Sequence, residues 1–243
     1  MSDRLKTHTQ GETLLLEARL DCKQLAGRAL GQDACLKDVS YASGTLIFNQ
    51  GDPSDALFVV CKGVVKLGRV ATTGGMIGTA LMGPGDLFGQ GVLLKCPQLA
   101  YAQVVQRCRV LPLMPGVLDS LLSNSPTLAR SLMAYMAQEN AEMKARLWVA
   151  NQGSVREALA VSLWYLARRF GHATPQGVRL TLKLSCQLLA ETIGYSRQAT
   201  NAALRKLRHE GIVSNHYGRV LIKDLTGLHK AAAPFLESEV SST

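Results

Sequence analysis

The side chains best equipped for chemistry in this 243-residue chain lie in one stretch, ETIGYSRQATNAALRKLRHEGIV, from 191 to 213. Read at helical spacing, Ala199, Ala203, Leu204 and Leu207 form one side, and Arg197, Gln198, Asn201, Arg205 and Arg208 form the other. A guanidinium can span O6 and N7 of guanine, and a carboxamide can pair with N6 and N7 of adenine, so Arg197, Gln198 and Asn201 have the chemistry to read base edges. Arg205, Lys206, Arg208 and His209 lie nearer the far end and suit phosphates. Ser196 can cap the helix through a free first-turn N–H, and with those N–H groups it can hold a phosphate on the approach side. Arg219, beside a later turn, can do the same from a hairpin.

Other chemistries have less to work with. The histidines at 8, 172, 209, 216 and 229 form no HExxH pair, no serine sits in a GxSxG elbow, and GPGDLFG precedes no helix that would make it a phosphate loop. Catalysis is not expected. Six cysteines, at 22, 35, 61, 96, 108 and 186, include no CxxC. Cys61 and Cys108 fall in strand-like runs and read as small, reduced, buried residues. Cys22 and Cys35 precede the main strand region and have the better claim to redox chemistry or metal ligation.

These groups need elements to hold them. A helix over about 186–193, a turn at Gly194-Tyr195 and the helix capped by Ser196 are followed by GIVSNHYGRVLIKD, two short strands joined at Gly218. Helix, turn, helix and hairpin together make a winged helix-turn-helix, a duplex-DNA-binding arrangement. Upstream, REALAVSLWYLARRFG supplies a buried helix, Gly171, Pro175 and Gly177 end it, and VRLTLKL alternates as a strand. From 127 to 150 no Gly or Pro interrupts a helical pattern. Its apolar positions, Ala129, Met133, Met136, Met143, Leu147 and Ala150, keep a 4-3-4-3 series with Asn140 in the missing place. That is a coiled-coil stripe whose polar member can fix register between paired helices; the alternative is a helix lying on its own β domain. From 41 to 114, short apolar runs cut by glycines at spacings too short for crossovers predict an antiparallel roll, with one hairpin tipped by Gly74-Gly75. The expected fold is α+β: residues 1–124 carry the N-terminal antiparallel β-roll of jelly-roll type, 125–152 the dimerisation helix, and 153–243 the DNA-binding unit. The closing AAAPFLESEVSST is expected to be peripheral.

Charge agrees with this division. Residues 1–120 hold 12 Lys/Arg and 10 Asp/Glu, a net of +2, whereas 121–243 hold 15 and 8, a net of +7. The excess sits in the half that would meet a polyanion. The longest apolar run, ALAVSLWYLA, is fenced by Arg156 and Arg168 and too short to span a membrane, and MSDRLKTHTQGE has no apolar signal core. No membrane partner and a cytoplasmic location are expected.

The order of these segments resembles the Crp/Fnr family of transcription regulators. GTLIFNQGDPSDALFVVCKGVVKL and GPGDLFGQGVLL resemble its cyclic-nucleotide-binding-type roll, SPTLARSLMAYMAQENAEMKARL its dimerisation helix, and LSCQLLAETIGYSRQATNAALRKLRHEGIV its DNA-binding end. The resemblance implies a homodimer on near-palindromic promoter DNA that recruits or obstructs RNA polymerase; a DNA-organising dimer without promoter control is the alternative. The family's Ser-Arg-Glu-Thr helix start stands here as Ser196-Arg197-Gln198-Ala199, and a second frequent arginine position holds Ala202. In nucleotide-binding relatives a Gly-Glu pair and a downstream Arg-Ser pair hold the ligand; here they are Gly89-Gln90 and Gln98-Leu99. No Arg or Lys lies between Lys95 and Arg107, so a buried cyclic phosphate would lack a cation. Haem-binding relatives use a sensor-domain histidine, and His8 is the sole histidine before 172. No cofactor is predicted. An iron-sulfur cluster drawn from 22, 35, 61, 96 and 108, a thiol switch, a small apolar effector, a protein partner or control by abundance stay open.

Overall fold

The computed structural model describes residues 22, 25, 36–70 and 76–236. The chain divides into two compact units, Met1–Met76 with Ala80–Gln138, and Ile77–Thr79 with Glu139–Thr243. The first is built on two long antiparallel strands, β3 (Leu57–Val70) and β6 (Tyr101–Leu113), paired from Leu57↔Leu113 to Gly68↔Tyr101. β1 (Val39–Tyr41) and β2 (Leu46–Phe48) pair with β6, while β4 (Met76–Met82) and β5 (Leu87–Phe88) lie along β3. The expected tip of the β3–β4 hairpin, Gly74-Gly75, lies outside the described residues.

Alternation along the strands sends side chains to two cores. Leu57, Val59, Leu87, Leu111 and Leu113 enter one; Val60, Val65, Phe88, Val104, Cys108 and Val110 enter the other. Phe48, Phe58 and Phe88 fill the second, with ring centroids 5.1–5.9 Å apart. Gly63 lies where β3 bulges against β6, at φ 90°; an added Cβ would come within 2.3 Å of the Arg107 carbonyl oxygen, so no other residue fits. A four-residue helix α1 (Gly91–Leu94) follows β5.

Helix α2 (Pro115–Asn124) packs Leu118 and Leu121 on the first core. The long helix α3 (Pro126–Gln152) begins where the Ser125 hydroxyl accepts from Leu128 N, and it runs 27 residues without a break. Its Leu128 and Tyr135 enter the same core, and the Tyr135 hydroxyl accepts from Leu87 N at 3.0 Å.

In the second unit, α4 (Val155–Phe170) is the central element. Ser154 and Glu157 close a reciprocal cap at its start, and ten of its residues, Ala158 to Leu166 and Phe170, are buried. Around it stand a four-stranded sheet, ordered β7 (Gly171–Thr174), β8 (Gly177–Lys183), β10 (Arg219–Ile222), β9 (Val213–His216), and helices α5 (Cys186–Ile193), α6 (Arg197–His209) and α7 (Leu225–Ala232). The helix ends at Phe170, as Gly171, Pro175 and Gly177 led one to expect, and β7 follows it directly. The expectation for the closing AAAPFLESEVSST is corrected in part: Ala232 is fully buried and Phe235 is 6% exposed, while 237–243 lie outside the described residues. No helix among the described residues is long and apolar enough to cross a membrane.

Candidate nucleic-acid interface

α5 is capped by Gly194, whose N–H donates to the Ala190 carbonyl, and α6 starts three residues later, at Arg197. The Ser196 hydroxyl accepts from Ala199 N at 3.2 Å, the expected cap. Thr200, Ala203, Leu204 and Leu207 are the buried side of α6. Thr200 takes the place expected of Ala199, which is half-buried: Thr200 is fully buried because its hydroxyl is satisfied by the Ser196 carbonyl at 2.9 Å. The Cys186 thiol donates to the Arg197 carbonyl across the turn, tying α5 to α6.

The outward face carries Arg197, Gln198, Asn201, Arg205, Lys206, Arg208 and His209, all exposed. There is no acidic residue between Ser196 and His209. Lys206, Arg208 and His209 in the last turn suit the helix dipole, which favours cations there. Arg197 does not. It stands at the first helical position, where the dipole opposes a positive charge, and it forms no ion pair among the described residues. An anionic or electron-rich partner from outside would compensate it. At the other end Glu210 accepts two hydrogen bonds from Arg156, at 2.9 and 2.5 Å, which fixes the C-terminus of α6 to the start of α4. These bonds hold the Glu210 carboxyl below its ordinary value of 4.5.

The hairpin adds a surface that sequence reading caught only at Arg219. Cross-strand register sets Lys183 opposite Arg219 and Arg219 opposite His216, so three basic side chains form a row across β8, β10 and β9. His172 lies opposite Arg179 further along. All five are exposed, and none makes an ion pair among the described residues. Lys183 and Arg219 are like charges set directly opposite, which destabilises a strand pair unless an anion intervenes. Arg179, Lys183, Ser214, His216, Tyr217 and Arg219 border a groove of about 490 Å³. Tyr217 stands at the hairpin tip at φ 52°, fully exposed, a position few bulky residues adopt. Arg179, Lys183 and His216 were missed because their grouping depends on strand register, which joins residues some forty positions apart.

The family model for the cyclic nucleotide-binding domain matches residues 38–125, and that for the Crp-like helix-turn-helix domain matches 157–231. The chain is 31% identical over 193 residues to the cyclic AMP receptor protein of Thermus thermophilus, covering 79% of this chain and 86% of the relative. This chain belongs to the Crp/Fnr family of transcriptional regulators. It is also 28% identical over 198 residues to the CRP-like cAMP-activated global transcriptional regulator of Mycobacterium tuberculosis, covering 81% and 88% of the two chains. The crystal structure of TTHA1359, a CRP/FNR-family regulator from Thermus thermophilus, superposes with a TM-score of 0.66 at 26% identity, over 81% of this chain and 98% of that one. A Crp/Fnr-type DNA-binding regulator is thus what the α5–α6 unit and its hairpin serve.

Two further features of this Crp/Fnr chain bear on control. Gln90 donates from Nε2 to the Leu87 carbonyl at 3.3 Å, and Gln98 is 4% exposed, its backbone bonded to Gly51 and Asp52. On α3, Met133, Met143 and Leu147 are 63–68% exposed, and Asn140 lies exposed between them. Trp148, unnoticed in the sequence, adds to this surface at 53% exposure. Met136 departs from the expected stripe: it is half-buried against the first core of the roll. Cys22 is paired, in a disulfide with Cys61, and Cys35 lies outside the described residues. Cys61 is therefore no reduced core cysteine, whereas Cys108 is fully buried, with its thiol pKa pushed up by that burial.

Proposed function

We propose that this Crp/Fnr chain is a sequence-specific regulator that acts in the cytoplasm as a homodimer, placing its two α6 helices in successive major grooves of a near-palindromic promoter site. Arg197, Gln198 and Asn201 read base edges. Ser196, Arg205, Lys206, Arg208 and Arg219 hold phosphates, and Lys183, Arg179 and His216 extend that hold along the hairpin face. The observation that carries this reading is Arg197, an exposed cation at the helix end where the dipole disfavours it. Gln198 stands where relatives carry a glutamate. It can donate as well as accept, which favours adenine over the cytosine that a carboxylate selects. The exposed ridge of Met133, Asn140, Met143 and Leu147 is the self-contact, and a promoter-bound dimer recruits or obstructs RNA polymerase.

Cyclic nucleotide is not the signal in this reading, although the mycobacterial relative is cAMP-activated. The neutral Gln90 and Gln98 and the exposed Leu99 supply no positive charge where a cyclic phosphate would be held. Selection from a randomised duplex pool tests the whole proposal. It should enrich an inverted repeat whose half-site centres lie about one helical turn, 10–10.5 base pairs, apart. Enrichment should need no added cyclic AMP. An unenriched pool, or enrichment dependent on cyclic AMP, would refute the corresponding half of the proposal.

A further inference from the structure

We propose that Cys22 and Cys61 form a reversible redox clamp that holds Leu25 in the core at the base of α3 and thereby sets operator affinity. Their Cα atoms are 5.6 Å apart, within the range that a disulfide bridges without backbone movement, and 39 residues separate them in sequence. Cys22 and Leu25 both have helical backbone, one turn apart, so they share a face. Leu25 is 2% exposed in the core that also receives Leu57, Leu121, Leu128 and Tyr135, and Cys22 and Cys61 border that same core. The bond therefore locks Leu25 beside the two residues that root α3 in the roll. Tyr135 carries this seat further, because its hydroxyl is bonded to the β5 backbone at Leu87.

Opening the bond removes the covalent tie three residues from Leu25. Departure of Leu25 would strip apolar packing from Leu128 and Tyr135 and loosen the first turns of α3, the helix that bears the exposed Met133 and Met143 ridge. Both bridging cysteines are half-buried, so a small thiol can reach the bond. Disulfides in a reducing compartment are characteristically transient and redox-sensing. With glutathione disulfide as oxidant, one S–S bond breaks as the Sγ–Sγ bond forms. The two cysteine thiols lose two electrons and two protons, and two glutathione molecules are released. A dithiol reverses the step and is itself closed to a cyclic disulfide.

The operator readout rests on the function proposed above, so the test uses two readouts that do not involve DNA. The full chain is equilibrated with glutathione disulfide or with dithiothreitol, then alkylated and weighed; the oxidised form should carry two fewer alkylated thiols. Backbone amides of residues 128–136 should exchange hydrogen at least about fivefold faster in the reduced form, and selected-operator affinity should fall by about fivefold or more, the low end of site-to-site coupling. Cys22→Ser should match the reduced wild type under both conditions, whereas Cys96→Ser should respond as the wild type does. Cys22 lies outside the strands of the roll, and an unchanged circular-dichroism spectrum would establish that its replacement leaves the roll folded. Equal alkylation in both conditions, or equal exchange of residues 128–136 in the two forms, overturns the clamp, as does equal affinity of the two forms for an operator that both prefer over scrambled duplex. If alkylation and exchange respond but neither form prefers operator over scrambled duplex, the clamp stands and the DNA reading falls.

Discussion

Replacing Arg169 by Met should destabilise the Glu139–Thr243 unit more than any exposed substitution. The Arg169 side chain, near the end of α4, is 7% exposed and bonded to Glu139 and Glu142 of α3, the latter at 3.0 Å. Glu142, also 7% exposed, is held in turn by Arg146 at 2.5 Å. Removing one partner of a buried ion pair costs about 3–5 kcal/mol, because the remaining charge stays desolvated. Arg146 still serves Glu142, and the Glu139 side chain retains 22% exposure, so the low end, about 3 kcal/mol, applies here. Both tryptophans, Trp148 and Trp164, lie in this unit, so tryptophan fluorescence in a urea titration reports its unfolding. With a slope of about 2 kcal/mol per molar urea, the midpoint should drop by about 1.5 M. Arg169→Met with Glu139→Gln should recover part of that loss, since one stranded carboxylate is gone. A midpoint shift below about 0.3 M, worth roughly 0.6 kcal/mol at that slope, would refute the reasoning and make the network a solvated one.

Three further outcomes follow from the same structure. Met143→Glu with Leu147→Glu puts charge on the exposed α3 ridge and should halve the mass seen by light scattering, and an unchanged mass would place the self-contact elsewhere. Changing Lys183 and Arg219 to Gln should reduce the slope of log affinity against log salt by about 0.9 for each phosphate no longer neutralised, equally on any duplex; an unaltered slope would remove the hairpin face from the interface. The Glu210 carboxyl is depressed below 4.5 by its hydrogen bonds from Arg156. Its stabilising contribution is therefore complete above that ordinary value and is lost as pH falls through the lower folded-state value. The difference in stability between wild type and Glu210→Gln should shrink in acid, with an amplitude within the roughly 0–1 kcal/mol of an exposed ion pair. A difference that stays constant down to about pH 2, below the carboxylate range, would contradict the pairing.

Local pattern made the DNA-binding end readable. Ser196 is a cap residue, Gly194 a helix stop, and Ala203, Leu204 and Leu207 recur at helical period; each signal lies within a few residues of the element it sets. The same holds for the uninterrupted α3. What escaped the sequence depends on distant pairing. Arg179, Lys183 and His216 become neighbours only through the β8–β10–β9 register, and disulfide connectivity cannot be deduced from spacing, so the Cys22–Cys61 bond was hidden. Met136 fits a helical stripe equally well facing a second helix or the roll, and the adjacent burial of Tyr135 draws it to the roll. β7 was lost because Gly171 and Pro175 read as terminators when they bracket a hairpin strand. Phe235 was missed because a tail of mostly small and polar residues reads as peripheral, although Phe235 is buried.

The central claim, that the outward edge of α6 reads bases, is tested most directly by comparing wild type and Arg197→Ala on a selected operator and on a scrambled duplex at one salt concentration. Loss of a bidentate base pairing predicts weakening by about 1–3 kcal/mol on the operator and far less on the scrambled duplex. The same fold loss on both would mean that Arg197 meets phosphate alone and that the sequence is read elsewhere or not at all.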